Sequence, residues 1–207
     1  MAQPTQYQRV GSTQFDVTEA GVESLGYLSF DGIDDWMVTP TITPGIDKAQ
    51  IFAGVRKLTD ATAGMVAEHS ATTANNAGSF YLLTAANSTT LRYAAAARGS
   101  AALNVEHQAS TEFGPAPDTA VLTATHDIAG DLSTIRRNGV TGADATRDKG
   151  LGNFLEYPMY IGSRGGASVR FNGQVFSLIT RFGANLEVAQ IESTEAYVAG
   201  KTAGVTL

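Results

Sequence analysis

The stretch "LSFDGIDDWMVT", Leu28 to Thr39, carries three carboxylates within five residues: Asp31, Asp34 and Asp35. A D-x-x-D-D spacing suits two kinds of chemistry. One is oxygen ligation of a hard cation. Calcium takes roughly six to eight oxygens, so these carboxylates would need backbone carbonyls and water beside them. The other is turn building, in which short Asp side chains accept backbone N–H bonds and Gly32 supplies the φ that the turn demands. The residues on either side read as strand, which favours the turn. The expectation is a structural turn and no cofactor, with calcium at Asp31, Asp34 and Asp35 as the alternative.

Other residues capable of catalysis are scattered. Glu68 beside His69 is an acid–base pair in composition, yet neighbours on a strand point to opposite faces. The three histidines lack an H-x-x-x-H metal spacing. No G-x-S-x-G elbow supports a nucleophilic serine. Glu187, Glu192 and Glu195 fall together near the C-terminus, where a helix would place them on a solvated face. The sequence therefore reads as a protein that is not an enzyme.

Carbohydrate recognition has different needs: an aromatic plate for the C–H face of a sugar, and a few planar polar groups for its hydroxyls. Trp36, Tyr81, Tyr93, Tyr157 and Tyr160 are available plates, and Arg92, Arg98, Arg164, Asn87 and Asn153 are available partners. Each aromatic taken singly reads first as core. Tyr157, in the loop before Pro158, is the better candidate for exposure. Tyr157, Arg164 and Asn153 are the expected sugar contacts.

These side chains need strands to position them. At 207 residues the chain suits one β-rich domain. With no cysteine there is neither a disulfide framework nor a thiolate metal site. The 20 acidic against 14 basic residues give a net charge of −6, which argues against a nucleic-acid partner. No stretch has the length and apolarity of a membrane span, and the N-terminus lacks the plan of a signal peptide, so no membrane insertion is expected.

Residues 1–24 are polar and aperiodic and read as an arm, with 25–207 as the folded domain. From Tyr27 onward, runs rich in Val, Ile, Phe, Tyr and Thr alternate with Gly, Asn, Asp and Pro. They predict strands at Tyr27–Phe30, Asp35–Thr39, Ala49–Lys57, Gly64–His69, Ser79–Thr84, Thr90–Ala95, Thr119–Ile128, Ser133–Arg137, Pro158–Ile161 and Gln174–Phe182. In Thr119–Ile128, Ala120, Leu122 and Ala124 share one parity and Thr119, Thr123 and Thr125 the other, so one face should be wetter. Asn138-Gly139 is the favoured pair for a two-residue type I′ hairpin. "IGSRGG" at 161–166 reads as a tight turn and not as a phosphate loop. A helix is expected near 187–199, capped by Asn185 and closed at Gly200.

Four segments occur in an order that resembles a known family: "YLSFDGIDDWMVT", "IRRNGV", "MYIGSRGG" and "FNGQVFSLITRFGANLEVAQIESTEAYV". The order is similar to the laminin-G-like and concanavalin-A-like lectin/glucanase jelly rolls, over about Tyr27 to Lys201. The resemblance implies an all-β jelly-roll β-sandwich with a short C-terminal helix. The glucanase branch carries E-x-D-x-x-E on one strand, which places its acid and nucleophile together; that triplet is missing here. More narrowly, "LSFDGIDDWMVTPTI", "FAGVRK" and "RFGANLEVAQIESTEAYVAGKT" resemble the lectin-like domain of tailed-bacteriophage virion proteins. That resemblance implies a virion structural or accessory protein, a capsid decoration or a tail or fibre component. Its partners would be other virion proteins and copies of itself, and a host surface glycan in the alternative reading.

Overall fold

The computed structural model describes residues 25–84, 92–102, 107–112 and 115–207, together with the backbone of Gln14–Asp16. The strands are β1 (Gln14–Asp16), β2 (Leu25–Asp31), β3 (Met37–Val38), β4 (Lys48–Lys57), β5 (Gly64–His69), β6 (Ser79–Thr84) and β7 (Arg92–Arg98). They continue with β8 (Ala109–Glu112), β9 (Asp118–Asp127), β10 (Leu132–Arg137), β11 (Val140–Thr141), β12 (Met159–Ile161) and β13 (Asn172–Phe182), before helix α1 (Val188–Ala199). Two antiparallel sheets form, in the orders β1-β2-β13-β4-β9-β10-β11 and β3-β12-β5-β6-β7-β8. This is the expected all-β jelly-roll sandwich with its C-terminal helix. Of the arm at 1–24, only Gln14–Asp16 is described, as a strand beside Leu25–Tyr27; the rest lies outside the described residues.

The inner faces obey the period-two rule. Ile51, Ala53 and Val55 of β4, Phe80 and Leu82 of β6, Tyr93, Ala95 and Ala97 of β7, and Ala120, Leu122 and Ala124 of β9 share one core. The many alanines let the strands of β7 and β9 lie close to the larger rings of Phe80 and Phe154. At one end of this core His69 stacks on Phe80 with ring centroids 5.5 Å apart, and His126 approaches the same ring at 5.4 Å. Both histidines are fully buried. Burial holds the His69 imidazole down at about 4 and that of His126 at about 3.

Strand β9 departs from the expectation of a wet outer face. Thr123 and Thr125 are buried, because α1 and the C-terminal tail cover this side. Phe52, Val121 and Val198 pack there with Ile179, Leu186 and Ile191. The tail can seat because residue 54 is glycine: a Cβ at that position would occupy the space of the Thr202 hydroxyl.

The helix itself differs from the sequence reading at two points. Its N-cap is Glu187 and not Asn185; the Glu187 side chain accepts from the backbone of Gln190, whose own side chain accepts from the Glu187 N–H. That is a reciprocal capping box. Glu195, expected on a solvated face, is 1% exposed and is gripped by Arg136 from β10 through two hydrogen bonds, of 2.8 and 3.0 Å. A carboxylate within an apolar stripe becomes tolerable when a guanidinium meets it side-on. Among the described residues, no helix is long and apolar enough to cross a membrane.

Candidate functional site

The D-x-x-D-D stretch forms the loop between β2 and β3. Asp31 Oδ1 accepts the backbone N–H of Ile33 at 2.7 Å and of Asp34 at 3.2 Å, and Asp35 Oδ2 accepts the N–H of Asp31 at 3.1 Å. Gly32 sits at φ +78°. The Ile33 N–H above all, with those of its neighbours, holds the Asp31 carboxyl below its ordinary value. Ligand oxygens of the three carboxylates lie within 4.8 Å of one another. Those of Asp31 and Asp35 are engaged as turn acceptors, and three carboxylates alone fall short of a calcium shell. These residues fit a turn better than they fit the ion.

The same loop delivers Trp36 to the outer face of the six-stranded sheet. There Trp36 faces Tyr160 of β12 with ring centroids 6.1 Å apart. Gly166, at φ +71°, lets the loop 162–170 pass directly against the indole, where any Cβ would collide with it. Gly162 and Gly165 are also at positive φ, so "IGSRGG" is a tight turn. Its role is to aim Arg164.

Register explains what Arg164 meets. Tyr160 pairs with Glu68, and Glu68 with Tyr81 across β12, β5 and β6, so these three side chains stand in a row on one face. Glu68 is fully buried. Its carboxylate accepts from Ser70 Oγ at 2.9 Å and from Arg164 Nε at 2.9 Å, and also from the backbone N–H of Ala74. Burial pushes the Glu68 carboxyl above its usual value against the pull of Arg164 and Ser70. The Arg164 guanidinium lies 5.9 Å over the Tyr81 ring. Burial raises the Tyr81 hydroxyl to about 12, while Gln108 donates to it at 2.8 Å. Only the Nε of Arg164 is bonded to the described residues; its two terminal nitrogens are not, and the side chain is 30% exposed.

The expected sugar contacts do not converge. Arg164 is on this outer face. Tyr157 leans on His69 at the end of the sandwich, with ring centroids 5.8 Å apart. Asn153 is exposed and donates to the Gly45 carbonyl at 2.9 Å. Because Glu68 and His69 are consecutive on β5, Arg164 and Tyr157 attach to opposite sides of one strand. Of the remaining plates, Tyr93 is core, with its hydroxyl on Asp118, and Tyr81 is covered. Trp36 and Tyr160 are partly buried. Arg98 donates to the carbonyls of Asn75 and Ser100. Asn87 lies outside the described residues. Sequence reasoning missed Glu68 as the anchor of Arg164; the apolar run around it hid a paired buried charge.

A concavity of about 370 Å³ lies between β2, β13 and β12. It is lined by Tyr27, Leu28, Ile161, Val175, Phe176 and Leu178, and offers few polar groups.

No protein-family model matches the sequence, and no curated protein matches it either. Among solved structures, the chain is similar to a heptameric SAP-like pentraxin from Limulus polyphemus, with TM-score 0.59 and 13% identity, over 86% of this chain and 82% of that one. It is also similar to the botulinum neurotoxin serotype G binding domain, with TM-score 0.62 and 10% identity. That match covers 93% of this chain but spans only 46% of the toxin domain. The third is the CBM40 of the Ruminococcus gnavus IT-sialidase, solved with α2,3-sialyllactose: TM-score 0.52 and 12% identity, over 77% of this chain and 98% of that one. At these identities the likeness establishes the jelly-roll fold alone.

Proposed function

We propose that this chain is a carbohydrate-binding, lectin-like module and that its binding face is the outer side of the six-stranded sheet. The observation that carries this reading is one outer face that holds both the Trp36–Tyr160 ring pair and, through Glu68 in register with Tyr160, the guanidinium of Arg164. Two partly buried rings share this face with a guanidinium whose Nε is fixed by a buried carboxylate. Sugars are held by such a plate flanked by planar donors, because the C–H face packs on the ring while the hydroxyls take the polar groups. The fold shared with a sialidase CBM40 is consistent with this use. The burial of Glu68 and its bond to Arg164 suit it to hold the guanidinium rather than to serve a substrate as acid or base, which supports recognition over turnover.

The test is a glycan panel against the wild-type chain and Trp36→Ala. Binding to a defined glycan that the variant loses supports the reading. A panel without any binding overturns it.

The finer reading follows the resemblance to phage virion proteins: the module is presented on a bacteriophage particle, packed with copies of itself and other virion proteins, and faces a host surface glycan. Locating the chain in purified particles by cryo-EM tests this. Absence from the particle removes the virion assignment and leaves the carbohydrate reading in place.

A further inference from the structure

We infer that the ligand of this face is an acidic glycan, one whose carboxylate is taken by the free edge of Arg164. The inference rests on the carbohydrate-binding reading above and adds the chemical class of the sugar.

A guanidinium has two edges that can receive a carboxylate through paired N–H bonds: one is formed by Nε with a terminal nitrogen, the other by the two terminal nitrogens. In Arg164 the first edge is engaged by Glu68 through Nε at 2.9 Å, which fixes the plane of the group. The ring of Tyr81 beneath it, 5.9 Å from the guanidinium carbon, blocks rotation from that side. The second edge, among the described residues, has no hydrogen-bond partner. It stands on the same face as the rings of Trp36 and Tyr160.

Arg136 shows what a purely structural arginine looks like in this molecule. Its Nε and one terminal nitrogen hold both oxygens of Glu195, and its other terminal nitrogen reaches the hydroxyl of Thr141 at 3.4 Å. Each of its three nitrogens is used. Arg164 has the same kind of buried carboxylate partner but spends one nitrogen on it. An arginine held rigid yet left two-thirds unspent is organised for a planar anion. A neutral sugar would be served equally by amides or hydroxyls, and these need no buried counter-charge to hold them.

The net charge does not conflict with this. Although the chain carries −6 overall, the local charge that faces the ligand is that of the guanidinium edge, with the Glu68 charge behind it. The surrounding negative charge makes the preference depend on short-range geometry, so moderate salt will not erase it as it would a purely steered encounter.

The decisive experiment is isothermal titration of the full chain with α2,3-sialyllactose, its methyl ester, a glucuronate-bearing disaccharide, and lactose. A charge-assisted bidentate pair predicts at least about tenfold tighter binding of a carboxylate sugar than of lactose, and a similar loss on esterification. Arg164→Lys keeps the charge and removes the fork; it should bring the acidic and neutral sugars to within about threefold of each other. The ester comparison requires no variant, so misfolding of Arg164→Lys would not spoil the test. Equal binding of acid and ester, or binding to neutral glycans only, overturns the acidic assignment and leaves a carbohydrate module. Binding to no sugar at all overturns both.

Discussion

The two outer faces of the sandwich each bury one glutamate and meet it with one arginine, yet they end in different states. On the seven-stranded sheet, α1 lies across β4 and β9, and the Arg136–Glu195 pair is closed under it with Glu195 1% exposed. On the six-stranded sheet, among the described residues, no helix covers the row, and Glu68 meets Ser70, the Ala74 N–H and Arg164 from the adjoining loops. There the guanidinium keeps an edge toward solvent. The same pair of residue types is thus a staple in one place and a presented group in the other. The difference is made by the covering element and by how many nitrogens the carboxylate occupies.

Acid should separate both surface pairs from the core between them, and with the largest effect. His69 and His126 are held neutral at about 4 and about 3 in the folded chain, against an ordinary value near 6.5. Their depressed values favour folding while both rings are neutral, and this advantage is lost as pH falls below the unfolded value. Urea denaturation from pH 7 to pH 5 should therefore show a loss on the order of 2 kcal/mol for each ring. The double variant His69→Phe/His126→Gln should flatten that slope. An unchanged slope would place the acid sensitivity at the surface pairs instead.

Next in size is the staple. Arg136→Met leaves a buried carboxylate under α1 and should cost about 3 kcal/mol by urea denaturation; the added change Glu195→Leu should recover most of it. The presented pair should behave more mildly. Arg164 is partly in water, and Glu68 keeps Ser70 and the Ala74 N–H, so Arg164→Met should cost about 1 kcal/mol. If the two variants prove equally destabilising, the contrast between staple and presented group fails. Smallest of all, Tyr197→Ser on the exposed side of α1 should change stability by less than about 0.5 kcal/mol, since that ring is 59% exposed.

How much of this was legible in the sequence depends on the element. The long strands were plain, because β4 and β6 carry apolar runs and β9 alternates apolar residues with threonine. The Asn138-Gly139 turn was plain as well, with both residues at positive φ. Strand β8, "ASTE", was hidden: it is polar, and pairing with β7 defines it more than its own pattern does. The burial of Thr123 and Glu195 was hidden for a related reason. Each depends on a helix packing against a sheet formed much earlier in the chain, and no local window contains both. The candidate face was half legible. Arg164 and Trp36 were singled out by type, but only strand register could reveal that Tyr160, Glu68 and Tyr81 share a row, or that Tyr157 and Asn153 belong elsewhere.

The strand order carries a consequence for how the chain reaches this state. β13 lies between β2 and β4, and β12 lies between β3 and β5. Neither sheet can close until segments near the end of the sequence arrive, so the early strands wait with unpaired edges while the rest is synthesised. Non-local pairing of this kind makes for slow folding and long exposure of sticky intermediates. A chain cut short before Met159 would leave a gap in each sheet, with the facing edges of β2, β4, β3 and β5 all unpaired, and its fate would be decided by chaperones or by aggregation.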